Sequence, residues 1–104
     1  MNKIADLIGT VVIVRTREAG VHAGKLLAVD GPVVTLANAR RMWRWWAKES
    51  ISLSGVARHG LADRSEVRIA GELPLTVING WCELLPCTEA AAASIASAPE
   101  ARTS

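Results

Sequence analysis

The sequence predicts a small α+β domain: a bent antiparallel sheet or partly open barrel, with one short inserted helix and a C-terminal helix. Short runs of β-branched residues recur along the chain, as in VVIV at 11–14, and turn residues separate them. Two stretches, 50–60 and 88–98, combine a capping residue with near-helical spacing or composition. The length of 104 residues, 50% of them hydrophobic, suits one domain with a real but shallow core. That domain is expected over residues 1–98, with 99–104 as a flexible tail.

GTVVIVRT (9–16) opens after a glycine and reads as the first strand. REAGVHAG (17–24) carries two glycines and reads as a turn. KLLAVDGPVVTLAN (25–38) reads as a hairpin, because Asp30-Gly31 sits between two apolar runs. Pro32 opens its second strand, where a missing donor costs least. The segment from Arg40 to Trp46 continues that strand or follows it closely. If it is extended, Arg41, Trp43 and Trp45 share one face, and Arg40, Met42, Arg44 and Trp46 share the other. A short helix is expected in SISLSGVARHG (50–60), capped by Ser50 and ended by Gly60. Residues 65–87 read as two further strands, broken or bulged at Gly71 and Gly80. TEAAAASIASA (88–98) reads as a helix with Thr88 as its cap. No internal repeat is visible.

Composition excludes several classes of function. No apolar run reaches the roughly 18 residues of a membrane span. The opening MNKIADLIGT has Asp6 inside its apolar stretch and does not read as a signal peptide. A formal net charge of +2 is too small for a protein that coats long nucleic acid. The charge is unevenly placed, however. Arg40, Arg41, Arg44 and Lys48 precede the first acidic residue of their region, Glu49, and Arg58, Arg64 and Arg68 follow. A local anion site fits this distribution. Cys82 and Cys87 fall on opposite faces of an extended segment, and with His22 and His59 they match no zinc spacing. Both are expected to be free thiols in a reducing cytosol, and no metal or cofactor is expected.

The stretch NARRMWRWWAKES (38–50) holds three of the four tryptophans and three arginines, in a chain with no Phe and no Tyr. Tryptophan offers a large flat face, and arginine a planar cation with a fork of donors. Part of the set can serve the core. Alternation along a strand nevertheless turns Trp45 and Trp46 to opposite faces, so an indole remains exposed beside arginines. Such an indole is a stacking platform for a base, and the guanidinium pairs with phosphate. Trp43 and Trp45, on the face of Arg41, include the expected stacking residue. Trp46 is expected in the core with Trp81. Arg15 and Thr16 end the first strand beside a glycine-bearing turn, whose backbone N–H groups can face an anion. Nothing resembles a nucleophile with its base, a carboxylate pair or a phosphate loop. His22 and His59 suit surface or capping roles, and Cys82, in an apolar strand, suits the core rather than a nucleophile's place.

Taken together, VIVRTREAGVHAGKL, NARRMWRWW and ELLPCTEAAAASI resemble an uncharacterised family of small phage and prophage proteins. The shared pattern is V-I-V-R-T-x-x-A-G-V-x-x-G, then N-A-R-R-x-W-x-W, then I-P-C-T, and it spans Val11 to about Ile95. LLPCT stands here where the family has IIPCT, and the loop at 60–72 is shorter. The family is in turn similar to phage anti-CBASS sponges, small oligomers that hold cyclic nucleotide immune signals without cleaving them. The resemblance implies Arg15, Thr16, Arg40, Arg41, Trp43 and Trp45 as ligand-binding positions. It also implies a cyclic dinucleotide such as cyclic GMP-AMP as ligand, and a place in the host cytoplasm. A small strand-rich domain with half its residues apolar is itself expected to form an even-numbered homo-oligomer, held by sheet edges or by the apolar face of the C-terminal helix. The rival expectation is a virion component, a capsid decoration or neck protein, in which the Trp and Arg cluster anchors an interface. An enzyme acting on nucleotides is a weaker third.

Overall fold

An antiparallel meander of β1 (Val11–Thr16), β2 (Val21–Asp30) and β3 (Val33–Arg44) is the centre of the computed structural model, which describes residues 4–48, 52–62 and 67–101. Gly31 takes a φ of 56°, which the two-residue link from Asp30 to Val33 requires. The segment 17–24, expected as a turn, turns only over 17–20, because β2 already begins at Val21. Gly24 lies inside β2. A Cβ there would stand 2.9 Å from the Ala39 Cα, so this glycine serves the close approach of two strands.

The expected short helix is α1 (Leu53–His59). Ser52 caps it, its side chain accepting from the Gly55 N–H at 3.1 Å, and Gly60 ends it at φ 95°. Ser50, the expected cap, lies outside the described residues. After Val67 there are three strands rather than two: β4 (Arg68–Ile69), β5 (Leu73–Asn79) and β6 (Trp81–Pro86). Gly71 and Gly80 stand at the two breaks. Helix α2 (Glu89–Ser97) starts at Thr88, whose hydroxyl accepts from the Ala91 N–H and donates to the Arg58 carbonyl. A 3₁₀ turn at Ile4–Leu7 has no counterpart in the sequence reading. Beyond Pro99 the chain keeps contact through the Ala101 N–H, which donates to the Ile69 carbonyl at 2.8 Å.

The sheet runs β4-β3-β2-β1-β6, and β5 pairs with the first half of β3. In a flat sheet, β5 and β6 would stand four strand spacings of about 4.8 Å apart. Here a single residue, Gly80 at φ 94°, joins them. The sheet is therefore strongly curled, although β5 and β6 do not pair and no barrel closes. Its concave side packs Val12, Val14, Leu26, Val34, Leu36, Ala39 and Ile78. Its convex side packs Ile13, Ala23, Met42 and Ile69 under Val56, Ala57 and Ile95 of the helices. Val12, Ile13 and Val14 are each fully buried, because β1 faces a core on both sides. Among the described residues, no helix is long and apolar enough to cross a membrane.

One irregularity in β3 decides the site. Lys25 and Ala23 pair with Ala37 and Arg40, so β3 carries one residue more than β2 there. Asn38 takes a φ of 52° in this bulge, a conformation asparagine tolerates better than most residues. The extra residue exchanges the faces. Arg40 and Met42 turn to the helices, and Ala39 and Arg41 turn to the concave side.

Candidate functional site

Arg41 and Trp43 form the exposed centre of the tryptophan and arginine stretch. The Arg41 guanidinium carbon lies 5.5 Å from the Trp43 ring centroid, within cation–π range. Trp43 is 68% exposed, so the stack leaves most of the residue open. Beside them, Arg44 and Arg68 are register partners across β3 and β4, and both are exposed. Like charges placed opposite each other raise the local positive potential.

His22 pairs with Arg41 across the ladder and is buried. Its Nε2–H donates to the Ala19 carbonyl at 2.8 Å. Burial holds its pKa below the ordinary value and the Arg41 charge adds to this, against an opposing effect of the hydrogen bond. The imidazole is thus neutral at pH 7, fixed between the 17–20 turn and Arg41. Sequence reasoning gave His22 a surface or capping role; it is buried instead, because β2 already begins at Val21. Its signal is visible only once His22 is placed in a strand.

The remaining expected site residues separate. Arg40 is buried: its Nε donates to the Ala70 carbonyl at 2.8 Å, and its Nη1 donates to the carbonyls of Ile95 at 2.8 Å and Ala98 at 2.6 Å. It therefore ties β3 to the C-terminal end of α2, where carbonyls lack helical partners. Thr16 holds the adjoining turn. Its hydroxyl donates to the Gly20 carbonyl and accepts from the Ala19 N–H, each at 2.8 Å. Arg15 pairs with Met42's row through Val21, which places it on the convex side, away from Arg41. There it forms a 3.0 Å ion pair with Glu83.

Neither Trp45 nor Trp46 sits where strand alternation puts it. β3 ends at Arg44, so alternation stops before either tryptophan. The chain then bends to bridge Ala47 with Leu61, and Trp45 packs against the convex core. Trp46 is half-buried and belongs to neither core group, while its carbonyl accepts from the Ala62 N–H. Trp81 packs against the concave core instead, and its indole N–H donates to the Gly31 carbonyl at 2.9 Å. It also lines a groove of about 530 Å³ between the 3₁₀ turn and β6, with Leu7, Cys82 and Leu84.

Both cysteines are free. Cys82, expected in the core, is exposed, at the irregularity where β6 leaves register with β1, and its thiol donates to the Arg15 carbonyl, whereas burial pushes the Cys87 thiol up to about 11. Among the described residues, no three His, Cys, Asp or Glu side chains gather as metal ligands.

A family model described as Domain of unknown function (DUF6948) matches residues 9–95. No curated protein matches the chain.

Proposed function

Since the chain belongs to the DUF6948 family, a domain family of unknown function, we propose its role from its own geometry: it binds a flat, anionic small molecule at Arg41 and Trp43. The observation that carries this is the guanidinium held over an open indole. A stacked guanidinium keeps its N–H groups pointing outward in its own plane, free for a bidentate phosphate. The indole offers its surface to a base, a contact worth about 1–3 kcal/mol. Phosphates together with bases describe a nucleotide.

The specific ligand in this reading is a cyclic oligonucleotide of bacterial immunity, such as cyclic GMP-AMP, held intact in the host cytoplasm by a phage or prophage protein. The sequence resemblance supports the phage setting, and the pairing of a cation with an open indole supports a role in capture. A thermal-shift series with cyclic di- and trinucleotides tests it. At a hundred times its dissociation constant, a ligand should stabilise the protein by about 2.7 kcal/mol. Release by heating should return the ligand uncleaved. Absence of a shift with every nucleotide would reject the reading. Cleaved products on chromatography would move the chain to the enzyme class.

The second reading, a virion component, draws support from an uncharged apolar strip on β5, where Leu73, Leu75 and Val77 are exposed. Co-purification with assembled particles would favour it.

A further inference from the structure

We propose that the outer face of β5, β3 and β2 is a self-association surface, on which a second copy of the chain packs face to face and antiparallel. The proposal stands independently of the nucleotide reading.

The register builds this face in three rows. Lys25, Ala37 and Leu75 form the first, Ala28, Thr35 and Val77 the second, and Asp30, Val33 and Asn79 the third. Leu73 continues the same side of β5, two positions before Leu75. The helices cover the other end of this side of the sheet, where Ile13, Ala23, Met42 and Ile69 lie. Over the three rows they do not: Leu73 and Leu75 are 57% exposed and Val77 is 61% exposed. Three large apolar side chains aligned on one strand face are an exposed patch that ordinary solvation does not favour.

Two features select the occupant. Lys25 and Asp30 are the only charges in the rows, and they stand in the first and the third. Both are exposed, and neither has an ion-pair partner among the described residues. A two-fold axis along the middle row places Lys25 of each copy over Asp30 of the other, and Val77 over Val77. The face is thus complementary to itself in charge and in apolarity, as an isologous interface demands. The second feature is Pro74. It sits exposed in β5, lacks an N–H, and obstructs growth of the sheet by edge pairing. Edge addition would also leave Leu75 and Val77 in water, whereas face packing covers them.

Sedimentation equilibrium of the full chain at micromolar concentration tests this. A dimer is expected. Leu75→Glu and Val77→Glu should each weaken association at least about tenfold, because each would bury an unpaired charge. Their circular dichroism should be unchanged, since both residues face solvent in the monomer. Lys25→Asp should weaken association, and the double exchange Lys25→Asp with Asp30→Lys should restore it. Trp43→Ala should associate like the parent protein. A monomer throughout the micromolar range would overturn the proposal. So would a dimer indifferent to both glutamate variants, or a double exchange that fails to rescue.

Discussion

Arg40 and Arg41 are neighbours in the chain and face opposite sides of the sheet. The first is buried on the carbonyls that end α2, and the second lies exposed over Trp43. The bulge at Asn38 sets which arginine takes which side.

The two arginines should therefore answer differently to the same substitution. Arg40→Ala leaves several carbonyls without their donor and should cost roughly 3 kcal/mol of stability. Arg41→Ala and Arg41→Lys should leave the urea midpoint nearly unchanged and weaken nucleotide binding, because lysine cannot reproduce the fork. Denaturation curves and titrations on the three variants decide the matter. Equal binding by Arg41→Lys would remove the bidentate account.

Trp43 and Trp45 separate in the same way. Trp43→Ala should keep the fold and lose about 1–3 kcal/mol of ligand affinity. Trp45→Ala should instead lose about 3 kcal/mol of stability, since Trp45 packs on the convex core. Midpoints and titrations on the two variants distinguish these outcomes, and loss of the fold in both would return the whole stretch to the core.

The architecture was legible because its signals are local. Asp30-Gly31 marks a tight turn, Thr88 a cap, and VVIV a strand wherever they occur. The site was legible only in part. Alternation from Arg40 to Trp43 holds, with Arg41 and Trp43 opposite Arg40 and Met42, but the extra residue at Asn38 decides which set meets the helices. Trp45 was misplaced because β3 ends at Arg44, where the chain bends toward Leu61. Arg40 could not be told from Arg41 by residue type, since the carbonyls that bury it come from α2, more than fifty positions away. Gly24 resembled a turn glycine because sequence does not distinguish a need for free φ from a need for no side chain.

Gly24→Ala gives a direct measure of that second need. The added methyl meets the Ala39 backbone at 2.9 Å, and backbone in the middle of a sheet yields little. A loss of about 1–3 kcal/mol is expected from thermal or urea unfolding. A neutral effect would mean that β2 and β3 can part at this point.

His22 makes stability depend on pH. Its folded pKa lies below the ordinary 6.5, so on acidification the unfolded chain takes up the proton first. Stability from this group is complete above that value and falls as the pH drops below it. Urea midpoints should decline from about pH 7 toward pH 5, and His22→Gln should flatten part of the slope. An unchanged slope would show that His22 titrates alike in both states.

Gly80 has a consequence for the order of folding. β1, β2 and β3 pair with near neighbours in the chain and can assemble as a meander from short loops. β6 reaches β1 across a much longer span: the Cys82 thiol meets the Arg15 carbonyl 67 positions away. Because one residue joins β5 to β6, docking of β5 on β3 delivers β6 to the opposite edge with little chain left to order. The slow, long-range pairing is thereby tied to a nearer one. The two strands should gain protection from hydrogen exchange together, after the meander and as a single unit.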